Sequence, residues 1–313
     1  MKINICFIAD NGYIKQTAVA ITSIIANKKR ETSYDIYVLT SGVSDGNKKK
    51  LKELSTKNVN IFVIELKADK ELGRFAIKGI PATPSAIYKF NIPTILKSLD
   101  KVVYIDGDTL VMSDLSELYE TNIEGVYAGV VKEAGGLATS LYGLCVSKNV
   151  LYFNSGVMLM NLSLMRKDKI PERLIDYREH GYNELMDQDA LNAIFKNHVL
   201  ELPFRYNTQL MFADIQKNID KLKRYLYLND NVKSTDEIID EAEILHFSGK
   251  RKPWKNTDGI GNDLWVSYYD RSPFASEKLE RIKYRKQRES IIDFTKRQLK
   301  NIRRRRFIGK FKR

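Results

Sequence analysis

Val102-Val103-Tyr104-Ile105 runs without a break into Asp106-Gly107-Asp108, and this junction limits the fold more than any other stretch of the chain. Four consecutive apolar, β-favouring residues describe a strand buried on both faces, which requires a sheet covered on both sides. Two carboxylates at its end must leave the core at once. That places them at the carboxyl edge of the sheet, where open α/β folds bind their ligands. With one small residue between them, both acids can lean toward one hard cation, and the glycine lets a backbone approach what that cation carries, such as a diphosphate. Taken alone, Asp-Gly-Asp also reads as a polar turn.

The N-terminal half supplies the remaining layers. Strand-like runs at Ile3 to Ala9, Ile36 to Thr40 and Val59 to Glu65 alternate with helix-like segments at Thr17 to Asn27 and Lys48 to Leu54. Such alternation predicts βα units and a mostly parallel sheet. Asn11-Gly12 closes the first strand, so Asp10 and Tyr13 fall on the first strand-to-helix loop, at the same edge as Asp106. A helix from about Ser85 to Leu99 precedes the diacid strand, and Asp114 to Leu118 starts a short one after it. Gly135-Gly136 reads as a loop.

With 313 residues, 43% hydrophobic and 29% charged, the chain has the composition of a globular protein and not of a disordered one. No apolar run approaches the roughly 18 residues of a membrane span, and the N-terminus lacks the apolar core of a signal peptide. Cys6 and Cys145 have neither metal-ligand spacing nor a disulfide framework, which points to a reducing cytoplasm. The formal net charge of +13 is local: residues 277–313 hold 16 of the 52 Lys and Arg but only 4 of the 39 Asp and Glu. The rest is nearly balanced, so composition gives the body no nucleic-acid-binding surface.

Three further stretches carry polar residues out of apolar runs. Tyr152 to Leu162 (YFNSGVMLMNL) is a strand interrupted near its start by Asn154, Ser155 and Gly156, a break that lets a ligand or another backbone come close. Asp187-Gln188-Asp189 leads into a helix, with its acids near the positive end of the dipole. Ile244 to Trp254 (ILHFSGKRKPW) is a short strand opening into a basic glycine loop. Gly249, Lys250, Arg251 and Lys252 there have the composition of a phosphate cradle. Of the three histidines, His180 and His198 stand apart from other chemistry. His246 leaves a buried strand directly into that loop and can complete a cation site begun by Asp106 and Asp108. Carboxylates with an imidazole suit Mn²⁺, and Mg²⁺ less strongly because of the nitrogen ligand.

In order and spacing, the Asn-Gly-Tyr loop, YIDGD, YFNSGVMLMNL, DQDALN and LHFSGKRKPW resemble glycosyltransferase family 8, the retaining transferases related to lipooligosaccharide galactosyltransferases and glycogenin. The resemblance spans roughly residues 3–256. It implies a GT-A fold, an α/β Rossmann-like domain over residues 1–272 that uses a UDP-sugar and Mn²⁺. Residues 273–313 are left as a basic tail. It also implies that Ala9, Asp10 and Tyr13 hold the nucleoside, with the tyrosine ring on uracil, and that Asp106, Asp108 and His246 ligate the metal, with Gly107 beside the donor. Asn154, Ser155, Gly156, Asp187 and Gln188 would face the donor sugar and acceptor, and Gly249 and Lys252 the diphosphate. Where many members carry arginine in the helix before the diacid strand, this chain has Lys89, which cannot form arginine's bidentate fork.

The function this implies is a retaining transfer of galactose or glucose from a UDP-hexose to a saccharide, glycolipid or glycoprotein acceptor in bacterial surface glycan assembly. Charge growing on the leaving UDP is met by the metal set and Lys252. Retention has two routes, double inversion through an enzyme nucleophile or attack on the face the UDP leaves. The neutral amide of Gln188 favours the second, with Asp187 and Gln188 orienting the sugar. A metal-dependent nucleotide-sugar hydrolase and a non-catalytic membrane- or nucleic-acid-binding protein are the alternative classes. In the tail, Ile291, Ile292, Phe294, Leu299 and Ile302 fall on one side at helical spacing and Lys296, Arg297, Lys300, Arg303 and Arg304 largely on the other. That pattern predicts a helix lying on an anionic membrane surface, and so an enzyme peripheral on the inner face of the cell membrane.

Overall fold

A computed structural model of the chain describes residues 1–66, 84–133, 151–180, 187–196, 198–210 and 234–283. The N-terminal half alternates as expected: β1 (Lys2–Asp10), α1 (Ile14–Asn27), β2 (Ser33–Ser41), α2 (Asp45–Lys52), β3 (Val59–Glu65), α3 (Pro84–Ile95) and β4 (Lys101–Ile105). There follow β5 (Thr109–Val111), α4 (Ser116–Glu120), β6 (Ala128–Lys132), β7 (Phe153–Asn161), α5 (Leu162–Lys167), α6 (Ile170–His180) and α7 (Asp187–Phe195). The chain continues through β8 (Val199–Glu201), a 3₁₀ turn (Phe204–Asn207), β9 (Thr208–Gln209), α8 (Thr235–Asp240), β10 (Ile244–His246) and α9 (Asn262–Tyr269).

Seven strands form one sheet in the order β3-β2-β1-β4-β7-β6-β8, in which β7 runs against the others. The rule that a strand buried on both faces carries apolar residues at every position is obeyed side chain by side chain. Val103 and Ile105 of β4 point into one core with Ile5 and Phe7 of β1 and Ile14, Ala18 and Ile21 of α1. Val102 and Tyr104 point into a second core with Met158 and Met160 of β7, Phe90 of α3 and Leu191 and Phe195 of α7. Each such fully buried aliphatic side chain contributes about 1.5–3 kcal/mol, so two cores hold the sheet rigid beneath its edge.

A second sheet of three strands, in the order β5-β10-β9, sits at that edge. It begins directly after the diacid, because Thr109 opens β5. Asn27 at the end of α1 clamps it, donating to the Val111 carbonyl (2.8 Å) and the Tyr268 hydroxyl (2.7 Å).

One expectation is corrected. The helix expected over Ser85 to Leu99 ends at Ile95. Leu99 N–H closes a turn on Leu96, and the Arg166 guanidinium takes the carbonyls of Pro93 and Leu99. Residues past the expected boundary at 272 also pack on this body. Phe274 is fully buried, Glu277 bridges Lys15 of α1 and Lys50 of α2, and Ile282 pairs with Asn256. The helix expected from Ile291 to Ile302 lies outside the described residues, as do Gly135, Gly136 and Cys145. Among the described residues no helix is long and apolar enough to cross a membrane.

Candidate active site

Backbone pairing delivers each acid. Ile105 pairs with Val157 of β7, and one residue further Asp106 N–H donates to the Gly156 carbonyl (2.7 Å), so the ladder carries Asp106 just past the sheet edge. Thr109 Oγ1 donates back to the Asp106 carbonyl (3.0 Å), folding Asp106 to Thr109 into a turn that tucks Asp108 inward. β10 then pairs antiparallel with β5, His246 opposite Thr109, and Phe247 N–H donates to the Asp108 carbonyl (2.9 Å). His246 Nε2 consequently lies 3.3 Å from Asp108 Oδ1 and 4.0 Å from Asp106 Oδ2.

Two glycines permit this convergence. A Cβ at Gly156 would stand 2.9 Å from both Asp106 Oδ2 and His246 Nδ1, inside van der Waals contact. The interruption at Asn154 to Gly156 is a bulge: β6 pairs Val130 with Met158 but Val131 with Asn154, so the residues between bow out toward the diacid. At Gly107 the missing side chain makes room for Thr17 Oγ1 of α1 (2.5 Å from an ideal Cβ).

Charge at the edge is paired. Lys89, almost wholly buried, sets its ammonium 2.5 Å from Asp187, 3.2 Å from the Ser155 carbonyl and 3.5 Å from Asp106. Burial depresses this ammonium, but the carboxylates of Asp106 and Asp187 outweigh it and hold Lys89 above the ordinary lysine value. Burial raises the Asp106 carboxyl; Lys89 opposes this and Asp108 reinforces it, leaving Asp106 above the usual carboxylate range. Asp108 goes the other way, because His246 and Lys252 override its burial and hold it well below that range. Lys252 Nζ lies 2.5 Å from Asp108 Oδ2. The Tyr104 hydroxyl donates to Asp106 Oδ1.

A second hydrogen-bond network lies beside the acids. Gln188 Oε1 accepts from Ser155 N–H and from Asn154 Nδ2, both at 3.2 Å, while its Nε2 donates to Glu133 (3.1 Å) and the Tyr152 hydroxyl (3.3 Å). Tyr152 donates to Asp189 (2.7 Å), and Ser155 Oγ to Asp187 (3.1 Å). At the rim, Asp10 Oδ1 accepts the backbone N–H groups of Gly12 and Tyr13, which shapes the loop after β1, and Ala9 is buried beneath it. Tyr13 leaves 41% of its surface exposed and meets Trp254 edge-on. Burial, with Asp108, Asp106 and Asp10 nearby, pushes its phenol up to about 12.

Asp106, Asp108, His246, Lys89, Asn154, Ser155, Gly156, Asp187, Gln188 and Lys252 thus form one connected set, with Tyr13 at its rim. Gly249 makes the turn that returns Lys252, at a positive φ of 90°. Glu133, Tyr152, Asp189 and Asn207 belong to the same set and were not anticipated. Tyr152 and Asp189 sit inside quoted motifs, whereas Glu133 and Asn207 carry no sequence signal.

Two carboxylate oxygens and an imidazole nitrogen lying within 4.8 Å of one another match a shared coordination sphere of a divalent ion.

A sequence model of glycosyl transferase family 8 matches residues 4–258. General stress protein A of Bacillus subtilis (strain 168) is 31% identical over 267 residues, covering 83% of this chain and 90% of that protein. Lipopolysaccharide 1,2-glucosyltransferase of Escherichia coli (strain K12) is 26% identical over 310 residues, covering 94% and 84%. Among solved structures, the galactosyltransferase LgtC in complex with donor and acceptor sugar analogs superposes with a TM-score of 0.69 at 22% identity, over 86% of this chain and 96% of that one. The two share a fold, that of the GT-A glycosyltransferases.

Proposed function

Because the chain belongs to glycosyl transferase family 8, we propose that it moves galactose or glucose from a UDP-sugar to a saccharide, glycolipid or glycoprotein acceptor with retention at the anomeric carbon. The observation that carries this reading is the meeting of Asp106, Asp108 and His246, far apart in sequence, at the edge where β4 ends. These three would hold Mn²⁺, or less favourably Mg²⁺. Such an ion would supply Lewis-acid stabilisation of the charge on the leaving UDP.

The protein's own groups do the rest. Tyr13, with its exposed ring, offers a stacking face for the uracil above the turn shaped by Asp10. Lys252, whose ammonium sits beside Asp108, adds a cation for the phosphates. Asp187 and Gln188, at the first turn of α7, orient the sugar. Gln188 is suited to orienting and not to attack, because its carbonyl oxygen is neutral and already accepts two hydrogen bonds. That supports attack by the acceptor on the face the UDP vacates. Lys89, whose neighbours are protein carboxylates and a carbonyl, acts here by holding Asp187 and Asp106 in place.

The lysine- and arginine-rich residues 284–313 support, through their charge alone, docking at an anionic membrane surface near a membrane-bound acceptor.

Titration calorimetry of UDP with and without Mn²⁺ tests the site. UDP binding should depend on the metal in the native protein and lose that dependence in Asp106→Ala and Asp108→Ala. Equal binding with and without Mn²⁺ in the native protein overturns the reading. Screening UDP-sugars for Mn²⁺-dependent UDP release, with and without acceptor, then identifies the donor and separates transfer from hydrolysis.

A further inference from the structure

His246 turns its second ring nitrogen away from the acids. Nδ1 lies 2.9 Å from Asn207 Oδ1, in a buried contact. Which partner carries the proton follows from a chain of hydrogen bonds that starts at a backbone amide. Gly156 N–H can only donate, and it donates to Asn154 Oδ1 (3.0 Å). Asn154 therefore presents its amide group to Glu133 (2.8 Å) and to Gln188 Oε1 (3.2 Å). The same Asn154 oxygen accepts from Asn207 Nδ2 (2.9 Å), so Asn207 must offer its oxygen to the imidazole. An oxygen at that distance needs a proton on Nδ1.

The alternatives fail in turn. Reversing Asn207 sets two amide oxygens against each other. Reversing Asn154 to relieve that sets its NH₂ against Gly156 N–H. Buried polar groups left facing like partners are strongly disfavoured, so one arrangement satisfies all the members. Asn207 is also held rigidly: it has no exposed surface, it ends the 3₁₀ turn that enters β9, and β9 pairs with β10 so that Gln209 lies opposite His246.

We propose that Asn207 is a positioning residue that keeps the proton of His246 on Nδ1 and so leaves Nε2 as the atom turned to Asp106 and Asp108. Asn154 joins this arrangement to the carboxamide of Gln188, so one hydrogen-bond chain orients both the cation side and the sugar side of the site. The proposal rests on the reading of Asp106, Asp108 and His246 as a cation site.

Two measurements test it. The first uses the unmodified chain: ¹⁵N spectra of the histidine rings at about pH 8.5, above the ordinary imidazole range, with the His246 signals identified by their loss in His246→Gln. A proton on Nδ1 is expected. The opposite tautomer, or a fast-exchanging mixture, overturns the proposal even if no Asn207 variant folds. The second follows Mn²⁺ uptake by electron paramagnetic resonance at saturating UDP. Asn207→Leu should weaken Mn²⁺ by roughly tenfold or more. Unchanged affinity in Asn207→Leu overturns the positioning role. A native chain that takes up no Mn²⁺ overturns the cation reading itself, and the ring spectra then still decide the hydrogen-bond assignment, so the two failures leave different records.

Discussion

Whether His246 and Asp106 meet is decided by a hydrogen atom at Gly156, where any other residue would carry at least a methyl group. Gly156→Ala should therefore lose Mn²⁺-dependent turnover almost completely while losing only the ~1–3 kcal/mol of stability typical of overpacking. Steady-state kinetics and urea denaturation of one preparation check both halves. Lys89 makes the complementary case. Lys89→Met strips Asp187 of its buried partner and should cost about 3–5 kcal/mol in a denaturation experiment. Lys89→Arg keeps the charge and should cost less. Gly156 was visible in the sequence as a break in an apolar strand, and Lys89 as a departure from a family pattern. Glu133 and Asn207 were not visible, because a lone polar residue beside apolar ones looks the same whether it closes a turn in water or completes a buried network.

At the scale of elements, strands read more reliably than helix ends. β1 to β4 announced themselves through apolar runs that only a doubly covered sheet can bury. The end of α3 at Ile95 depends on Arg166, which lies in another helix and has no mark in the sequence of α3. Asp114 shows how one side chain joins several elements. Its carboxylate accepts from Lys29 N–H after α1, from the Tyr34 hydroxyl of β2 and from Ser116 N–H at the start of α4. Burial acts upward on this carboxyl, but hydrogen bonds from Ser116, Lys29, Thr32 and Tyr34 prevail and hold it at about 2. A carboxylate depressed below its unfolded value of about 3.9 contributes stability fully above that value and loses it as pH falls through the folded one. Unfolding free energy measured between about pH 4 and pH 2 should therefore fall less steeply in Asp114→Asn than in the native chain. At neutral pH the variant should be less stable by about 1–2 kcal/mol.

For the whole molecule, the boundary at 272 and the body that continues to Lys283 make different predictions. A chain ending at residue 272 loses Phe274, and with it about 3 kcal/mol or more, together with the Glu277 bridge between α1 and α2. A chain ending at Lys283 should denature like the full chain. The same shorter chain should lose sedimentation with anionic vesicles and keep UDP binding; equal sedimentation of both chains would remove the tail from any membrane role. From the sequence alone came the α/β class, the family, the diacid at the end of β4 and the polar break in β7, because burial on both faces of a strand and the spacing of linked motifs are local properties written along the chain. Only the tertiary structure decided that β10 would pair with β5 and bring His246 to Asp108, that Gly156 would lie beneath the imidazole, and that Asn207 would fix its proton. Those contacts join residues from about 40 to 140 positions apart, and the loop closures that unite them are determined by packing over the whole body and not by any short stretch.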